Sequence, residues 1–281
     1  MYLVMDFETR SRVDLSDVSY QRYASDPSTD IMCIGLKWSG RPSSVFVPTH
    51  GAVLDGRTQP IQIMEAIRIG RPIVVHNRAF EENIYHYICV LRFGWPPIHP
   101  DQWHDTMASC SYYAVPRSLD KAGKALGLTA LKMTVTPEFS EEEPEPEDVP
   151  GKRKRKPKKV KPKSRHVLKQ LCKPRNWSAA AEAKWVEEGK RIEDMPVRWW
   201  EDKPRLDALY AYCKDDVDSQ DELFQTLGPL PPERLAEWRL DCKINNRGLP
   251  VDWPALHTVN TIVGDSLSWY NDRVRKLTAT P

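Results

Sequence analysis

The sequence predicts an α/β fold in which most strands of one sheet run parallel and one runs antiparallel. The chain opens with a strand-like apolar segment, Tyr2 to Met5, and two more strand-like segments follow, joined by the turn SGRPS. Beyond them, short buried segments alternate with helical ones. A hairpin followed by such alternation is typical of a mixed sheet with helices on its faces.

The elements of this sheet follow one another in the first 130 residues. The second and third strands are predicted at Ile31 to Trp38 and at Ser44 to Pro48. A helix follows at Ile61 to Gly70, where Gly70 is the stop signal. RPIVVHN then indicates a short buried strand that ends at Asn77, and AFEENIYHYICVLRFG indicates the helix after it.

A fifth strand and two helices complete this part of the chain. HPDQWHDTM contains the short strand, and Asp105 or Thr106 caps the helix TMASCSYYAV that follows. Ser118 caps the next helix, SLDKAGKALGL.

Two charged runs interrupt the chain between its halves. Glu138 to Asp148 holds seven acids, and Lys152 to Arg165 holds ten Lys and Arg. Without these runs the chain is nearly neutral, with 31 bases (41 − 10) and 32 acids (39 − 7). Because large apolar residues are almost absent there, residues 138–165 are predicted to form a mobile, disordered charged insertion. The basic run is predicted either to be a solvated tail or to bind phosphate without sequence preference.

The C-terminal third is predicted to be helical. A long helix from Pro204 to Leu227 carries one apolar stripe and is ended by GPLPP. A second helix lies in PPERLAEWRLDCKINNRGLPVD, and a last one runs from about Trp253 to Lys276. Trp199 and Trp200, just before the long helix, are expected either to pack against it or to stack on bases.

Composition excludes several classes of protein. The sequence has no apolar run near the roughly 20 residues of a membrane span and does not begin with a signal peptide. Its six cysteines form no Cys-x-x-Cys pair, so neither a zinc knuckle nor a disulfide framework is indicated. A cytosolic protein with no membrane partner is therefore predicted, and nothing indicates more than a monomer.

Three short motifs place carboxylates where they can meet: DFET, HNRAFE and YCKDD. Asp6 and Glu8 project from one face of a strand, roughly 6.5–7 Å apart. Tyr212 and Asp216 lie four apart on one face of the long helix, and Glu81 follows a strand-to-helix junction, where ligands of α/β sheets collect.

Convergence of these motifs would join Asp6, Glu8, Glu81 and Asp216 in one site that holds two divalent cations. Two such cations, about 3.5–4 Å apart, suit phosphodiester hydrolysis. Tyr212 would then orient the attacking water, since its unperturbed pKa of roughly 10 makes it a poor base.

Simpler readings exist for neighbouring residues. Asp105 is interpreted as a helix cap. His76 is interpreted as a packed or backbone-bonded histidine rather than a metal ligand, because hard cations prefer oxygen ligands. The other acids of the long helix are expected to be solvated; these are Asp215, Asp218 and Asp221.

This set of motifs resembles the exonucleases with four acidic residues and a Tyr-x-x-x-Asp third motif, as found in family A DNA polymerases of phage type. DFETRSRVDL, VVHNRAFEENIY, LCKPR and YAYCKDDVDSQDELF stand in the order seen in that family. The resemblance implies a ribonuclease H-like fold, a five-stranded mixed sheet flanked by helices, and a 3′–5′ proofreading exonuclease.

The resemblance also implies residue roles and a domain plan. Asp6, Glu8, Glu81 and Asp216 are assigned to binding two Mg²⁺ or Mn²⁺ ions, with Tyr212 as a further catalytic residue. The substrate-binding assignments are Thr9, His76, Asn77 and Phe80.

The domain plan that the resemblance implies has two parts. Residues 1–228 form the exonuclease domain, and 229–281 form a helical segment that leads into a polymerase domain. No polymerase motif precedes residue 281, so a domain or fragment acting on single-stranded DNA 3′ ends in a bacterial or phage-infected cytosol is expected.

One departure from the family keeps two alternatives open. The usual residue at position 81 is aspartate, and Glu81 is one methylene longer, which puts the affinity for the second cation in question. The alternatives are an RNA-trimming exonuclease of the same superfamily and a catalytically silent module that binds nucleic acid.

Overall fold

The computed structural model of the chain describes residues 1–130, 168, 170–191 and 194–278. The charged insertion predicted at 138–165 lies outside the described residues. The chain divides into two compact units, Met1–Ala236 and Glu237–Pro281. All of the predicted site residues belong to the first unit.

A five-stranded mixed sheet with the strand order β3-β2-β1-β4-β5 forms the centre of the first unit. β2 is antiparallel to both β1 and β3, whereas β4 is parallel to β1 and to β5. The predicted α/β class and the mixed sheet flanked by helices are thereby confirmed, with β2 as the one antiparallel member. The strands are β1 (Leu3–Arg10), β2 (Asp30–Trp38), β3 (Ser44–Phe46), β4 (Ile73–Val75) and β5 (Trp103–Asp105).

β1 is longer than the sequence pattern indicates, because β2 pairs with it over its whole length. The apolar run ends at Met5, but pairing with β2 continues to Arg10, with a register shift between Glu8 and Thr9. On its other side β1 pairs with β4 only at Leu3 and Val4. The half of β1 that carries the carboxylates therefore extends beyond β4.

The helices lie close to their predicted positions. Asp105 caps its helix by accepting a hydrogen bond from the Met107 N–H at 2.9 Å. The predicted helix after β4 is α-helical only to Ile84 and continues as a π-helix over Tyr85–Arg92. The α-helices of the first unit whose bounds lie within the described residues are α1 (Tyr20–Ser25), α2 (Ile61–Arg68), α3 (Arg78–Ile84), α4 (Thr106–Tyr112), α5 (Leu119–Leu126), α6 (Ala179–Glu187) and α7 (Lys203–Leu227).

The long helix α7 packs across β1 and β2. Val217 and Phe224 join Val4 and Val74 in one buried cluster. A second cluster contains Met32, Cys33, Leu171, Leu209 and Cys213, with Trp200 packed against it. Of the two expectations for Trp200, packing against the long helix is thus the one that the structure bears out.

A partly buried group of one lysine and two acids fixes the C-terminal half of α7 to the sheet. Lys37 of β2 approaches Asp218 at 2.7 Å and Asp221 at 2.9 Å, and the Tyr2 hydroxyl donates to Asp221 at 2.6 Å. Asp221 is only 2% exposed. The expectation that Asp221 is solvated was wrong, because Asp221 is buried against Lys37. The periodicity of a helix cannot show that a lysine of a strand lies beside it.

The described part of the second unit is mainly helical. α8 (Pro232–Arg247) begins just before its boundary, and α9 (Trp253–Thr278) follows. Within the described ranges, no helix is both long and apolar enough to cross a membrane.

Candidate functional site

Asp6 and Glu8 form the centre of the site on β1. A carboxylate oxygen of each lies within 4.8 Å of the other and of the Cys213 sulfur. The Gln220 side-chain amide donates to Asp6 Oδ1 at 2.9 Å, and the Cys213 Sγ lies 3.9 Å from the Asp6 backbone oxygen. Two residues of α7 therefore hold this helix against the carboxylate-bearing part of β1.

Asp216 reaches the same place because of its position on α7. Cys213 and Gln220 both contact Asp6, and Asp216 lies between them, three residues from one and four from the other. Residues at that spacing share one helix face. Asp216 is 4% exposed, so its carboxylate belongs to the buried side of α7 that faces Asp6.

Tyr212 adjoins Asp216 and the strand carboxylates. Burial raises the pKa of the Tyr212 hydroxyl, and the charges of Asp216, Glu8 and Asp6, together with a hydrogen bond to Asp216, raise it further. This hydroxyl therefore stays protonated at neutral pH. It suits a role in which it orients a neighbouring group by hydrogen bonding and does not accept a proton as a base.

Glu81 of α3 contacts β1 beyond the residues that pair with β4. Its Oε2 accepts a hydrogen bond from the Phe7 backbone N–H at 3.2 Å, and the residue is 3% exposed. Burial first, and then the charge of Asp6, raises the pKa of the Glu81 carboxyl well above its usual range, although the Phe7 hydrogen bond opposes this. Glu81 is thus a close neighbour of Asp6 and has a structural contact of its own.

The raised pKa of Glu81 predicts a pH-dependent stability in the absence of divalent cations. Between the unfolded and folded pKa values, the folded chain keeps a proton that the unfolded chain has released. The free energy of unfolding therefore falls as pH rises through that window, by up to about 1.4 kcal/mol per pH unit. Glu81→Gln should remove this decline, because its amide oxygen can still accept the Phe7 N–H without a charge.

Urea unfolding in chelator, from mildly acidic to mildly alkaline pH, measures this effect. Glu65→Gln is the matched control, because Glu65 is exposed on α2, and it should keep the decline of the wild type. Parallel curves for the wild type and Glu81→Gln would contradict the prediction.

Asp105 positions Glu81 through the start of α3. In addition to capping its own helix, it accepts hydrogen bonds from the N–H groups of Asn77 at 3.0 Å and Arg78 at 3.2 Å. Asn77 adopts a left-handed conformation with φ 78°. The predicted capping role of Asp105 is correct, and the additional contact across β4 and β5 fixes the turn from which α3 begins.

Three of the four predicted substrate-binding residues belong to one aromatic cluster, formed with Tyr20 and Tyr23. The Phe80 ring contacts the Tyr20 ring edge-on at a centroid distance of 5.7 Å and the Tyr23 ring at 6.0 Å. The Asn77 amide donates to the Tyr20 hydroxyl at 3.1 Å, and the Thr9 and Tyr23 hydroxyls are 3.0 Å apart.

His76 takes part in the fold through a hydrogen bond. Its Nδ1 lies 2.8 Å from the Thr106 hydroxyl, which also donates to the Val75 backbone oxygen at 3.1 Å. This contact fits the reading of His76 as a packed histidine.

Sequence reasoning did not single out Cys213, Gln220, Tyr20 or Tyr23. The α7 residues could have been found from the spacing of Tyr212 and Asp216, because positions 213, 216 and 220 share one helix face. Tyr20 and Tyr23 gave no comparable signal, since α1 meets α3 only in three dimensions.

No protein-family model matches this chain, and no curated protein matches it. Its function is therefore inferred from the residues of the site.

Proposed function

We propose that this chain is a metal-dependent 3′–5′ exonuclease, the proofreading domain of a family A DNA polymerase of phage type. The observation that supports the proposal most is the convergence of distant elements on β1. Glu81 of α3 accepts a hydrogen bond from the backbone between Asp6 and Glu8, and α7 contacts Asp6 on both sides of Asp216. The strand order around β1 agrees with the ribonuclease H-like sheet that the motifs imply.

The donor set fits divalent cations that prefer oxygen ligands. Asp6, Glu8, Glu81 and Asp216 would hold two Mg²⁺ or Mn²⁺ ions, and the pKa of Glu81, raised partly by the charge of Asp6, marks a repulsion that such ions relieve. When bound, two divalent cations supply an activated water and stabilise charge on the leaving oxygen.

The chain's own residues then orient the substrate and the water. The protonated Tyr212 hydroxyl lies beside Asp216 and can orient a water by hydrogen bonding. Phe80, Asn77 and Thr9, held by Tyr20 and Tyr23, would contact the terminal nucleotide. Glu81 accepts a hydrogen bond from the Phe7 N–H, so this residue supports β1 as well as contributing a carboxylate.

The partners in this proposal are the 3′ end of single-stranded or frayed DNA and a polymerase domain that follows in the same polypeptide. The chain would act as a monomer in the cytoplasm. It would remove nucleotides and would not extend a primer.

A 5′-labelled single strand tests this function directly. With Mg²⁺ we expect the strand to lose mononucleotides from its 3′ end, which gives a ladder of shortened labelled products. With chelator we expect no shortening. A matched RNA strand should be degraded more slowly, and a primed template with nucleotides should not be extended. Faster cleavage of RNA would favour the RNA-trimming alternative, and binding without cleavage would favour the silent module.

Tyr212→Phe should slow mononucleotide release by roughly 10–100-fold, as the loss of an orienting partner beside a metal site typically does. Cation binding should change little, because the carboxylates remain. Single-turnover cleavage and calorimetric Mn²⁺ titration measure the two quantities. Tyr210→Phe, on the same helix, is the control, and equal rates for both variants would rule out the orienting role.

A further inference from the structure

Two short segments outside the sheet place two arginines and two tryptophans on one face. The Arg175 N–H donates to the Arg198 carbonyl at 2.7 Å in an isolated antiparallel bridge. Directly opposed residues of an antiparallel pair project to the same side. Trp177 and Trp200 each lie two residues farther along their segments, and in extended chain they therefore share that side.

The four side chains pair diagonally across the bridge. The Arg175 guanidinium lies 4.2 Å from the ring centroid of Trp200, and that of Arg198 lies 4.6 Å from the ring of Trp177. Arg205 also stacks on Trp200, at 4.4 Å. The indole rings thus hold the guanidinium groups in place.

Arg175 and Arg198 differ from the neighbouring arginines in having no carboxylate close by among the described residues. Arg205 pairs with Asp202 at 2.8 Å, and Arg10 pairs with Glu201 at 2.6 Å. Within the part of the chain that the structure describes, neither Arg175 nor Arg198 lies within ion-pair distance of a carboxylate. Two immobilised guanidinium groups without an acid favour an anionic ligand, and their planar forks match phosphate.

The pair lies next to the end of β1 that follows the carboxylates. The Ser11 N–H donates to the Cys172 carbonyl at 3.1 Å, three residues before Arg175. Arg10 stacks on Trp199 at 4.5 Å, next to Arg198 and Trp200 in the chain. Ser11 is three residues beyond Glu8, which is roughly 10 Å of extended strand.

We propose that Arg175 and Arg198 bind phosphate groups of the single strand that leads to the scissile 3′ end. This inference rests on the proposed function, because it supplies the path of the strand whose terminal nucleotide lies at the carboxylates. Because guanidinium groups pair with phosphate oxygens, which are the same for every nucleotide, this contact is independent of sequence.

The salt dependence of single-strand binding tests the inference. Affinity for a fluorescent oligothymidylate is measured in chelator, which prevents cleavage, over a range of salt concentrations. Each phosphate contact contributes a slope of about −0.7 for a single strand. The Arg175→Gln/Arg198→Gln variant should therefore bind more weakly, with a slope shallower by about 1.4.

Two further double variants serve as controls. Arg175→Lys/Arg198→Lys keeps both charges and should keep the slope of the wild type, which separates loss of charge from loss of fold. Arg41→Gln/Arg71→Gln removes two exposed charges at the opposite end of the strands, where β1 begins. This variant should leave the slope unchanged.

A wild-type slope in Arg175→Gln/Arg198→Gln, or an equal loss in the Arg41→Gln/Arg71→Gln variant, would overturn the inference. Its failure is distinguishable from that of the proposed function. A chain that cleaves 3′ ends but shows either result keeps its function and loses this strand path. A chain that binds through these arginines without cation-dependent cleavage loses the function instead.

Discussion

The Asp6→Asn variant is expected to release 3′ nucleotides about 10³-fold more slowly than the wild type, a loss of about 4 kcal/mol in transition-state stabilisation. Asp6 is the carboxylate at which the elements of the site meet, because it contacts Gln220 and Cys213 of α7 and adjoins Glu81 of α3. Asparagine keeps the shape of the side chain and removes the charge that a divalent cation requires.

Single-turnover cleavage of a labelled strand measures the loss, and thermal unfolding in chelator checks that the fold is kept. Asp207→Asn is the matched control, since Asp207 lies exposed on the same long helix and pairs only with Lys203 at 2.7 Å among the ion pairs of the described residues. The control should cleave at the wild-type rate. Retention of more than a tenth of the activity by Asp6→Asn would contradict the proposed role.

Gly35→Ala should destabilise the chain by about 1–3 kcal/mol and should also slow cleavage by roughly 10²-fold. Gly35 lies opposite Asp6 in the β1–β2 register, where α7 crosses the sheet. A Cβ at this position would lie 2.7 Å from Val217 Cγ1 and 2.9 Å from the Cys213 backbone oxygen. Because one of these neighbours is backbone, α7 must move away from β2 and carry Asp216 with it.

Urea unfolding and single-turnover cleavage measure the two effects of Gly35→Ala. Gly264→Ala is the control, because a Cβ there meets nothing within 4 Å and alanine favours a helix interior. It should leave the cleavage rate unchanged. A Gly35→Ala variant with wild-type stability and activity would show that the close approach of α7 to β2 does not position the site.

Much of the fold could be predicted because local patterns report it. Apolar runs located the strands, and the stripe of α7 predicted a helix at Pro204 to Leu227 where the structure has Lys203–Leu227. The end of β1 could not be predicted in this way, because the pairing of Arg10 with Asp30 depends on a second strand and not on the apolar pattern of β1.

The parts of the site that sequence could not supply depend on contacts between distant elements. The motifs located Glu81 but could not show that its carboxylate accepts the Phe7 N–H beside the open edge of β1. Nor could they show that Asp221 is buried with Lys37. The Glu81 contact depends on how far β4 extends along β1, and the Asp221 contact depends on β2 lying next to β1.

Calorimetric titration with Mn²⁺ tests most directly whether acids from β1, α3 and α7 form one site for divalent cations. The account predicts binding of two ions to the wild type, with loss of at least one in Asp216→Asn and in Glu81→Gln. Unchanged binding in both variants, or no binding by the wild type above that of an Asp6→Asn/Asp216→Asn variant, would contradict it.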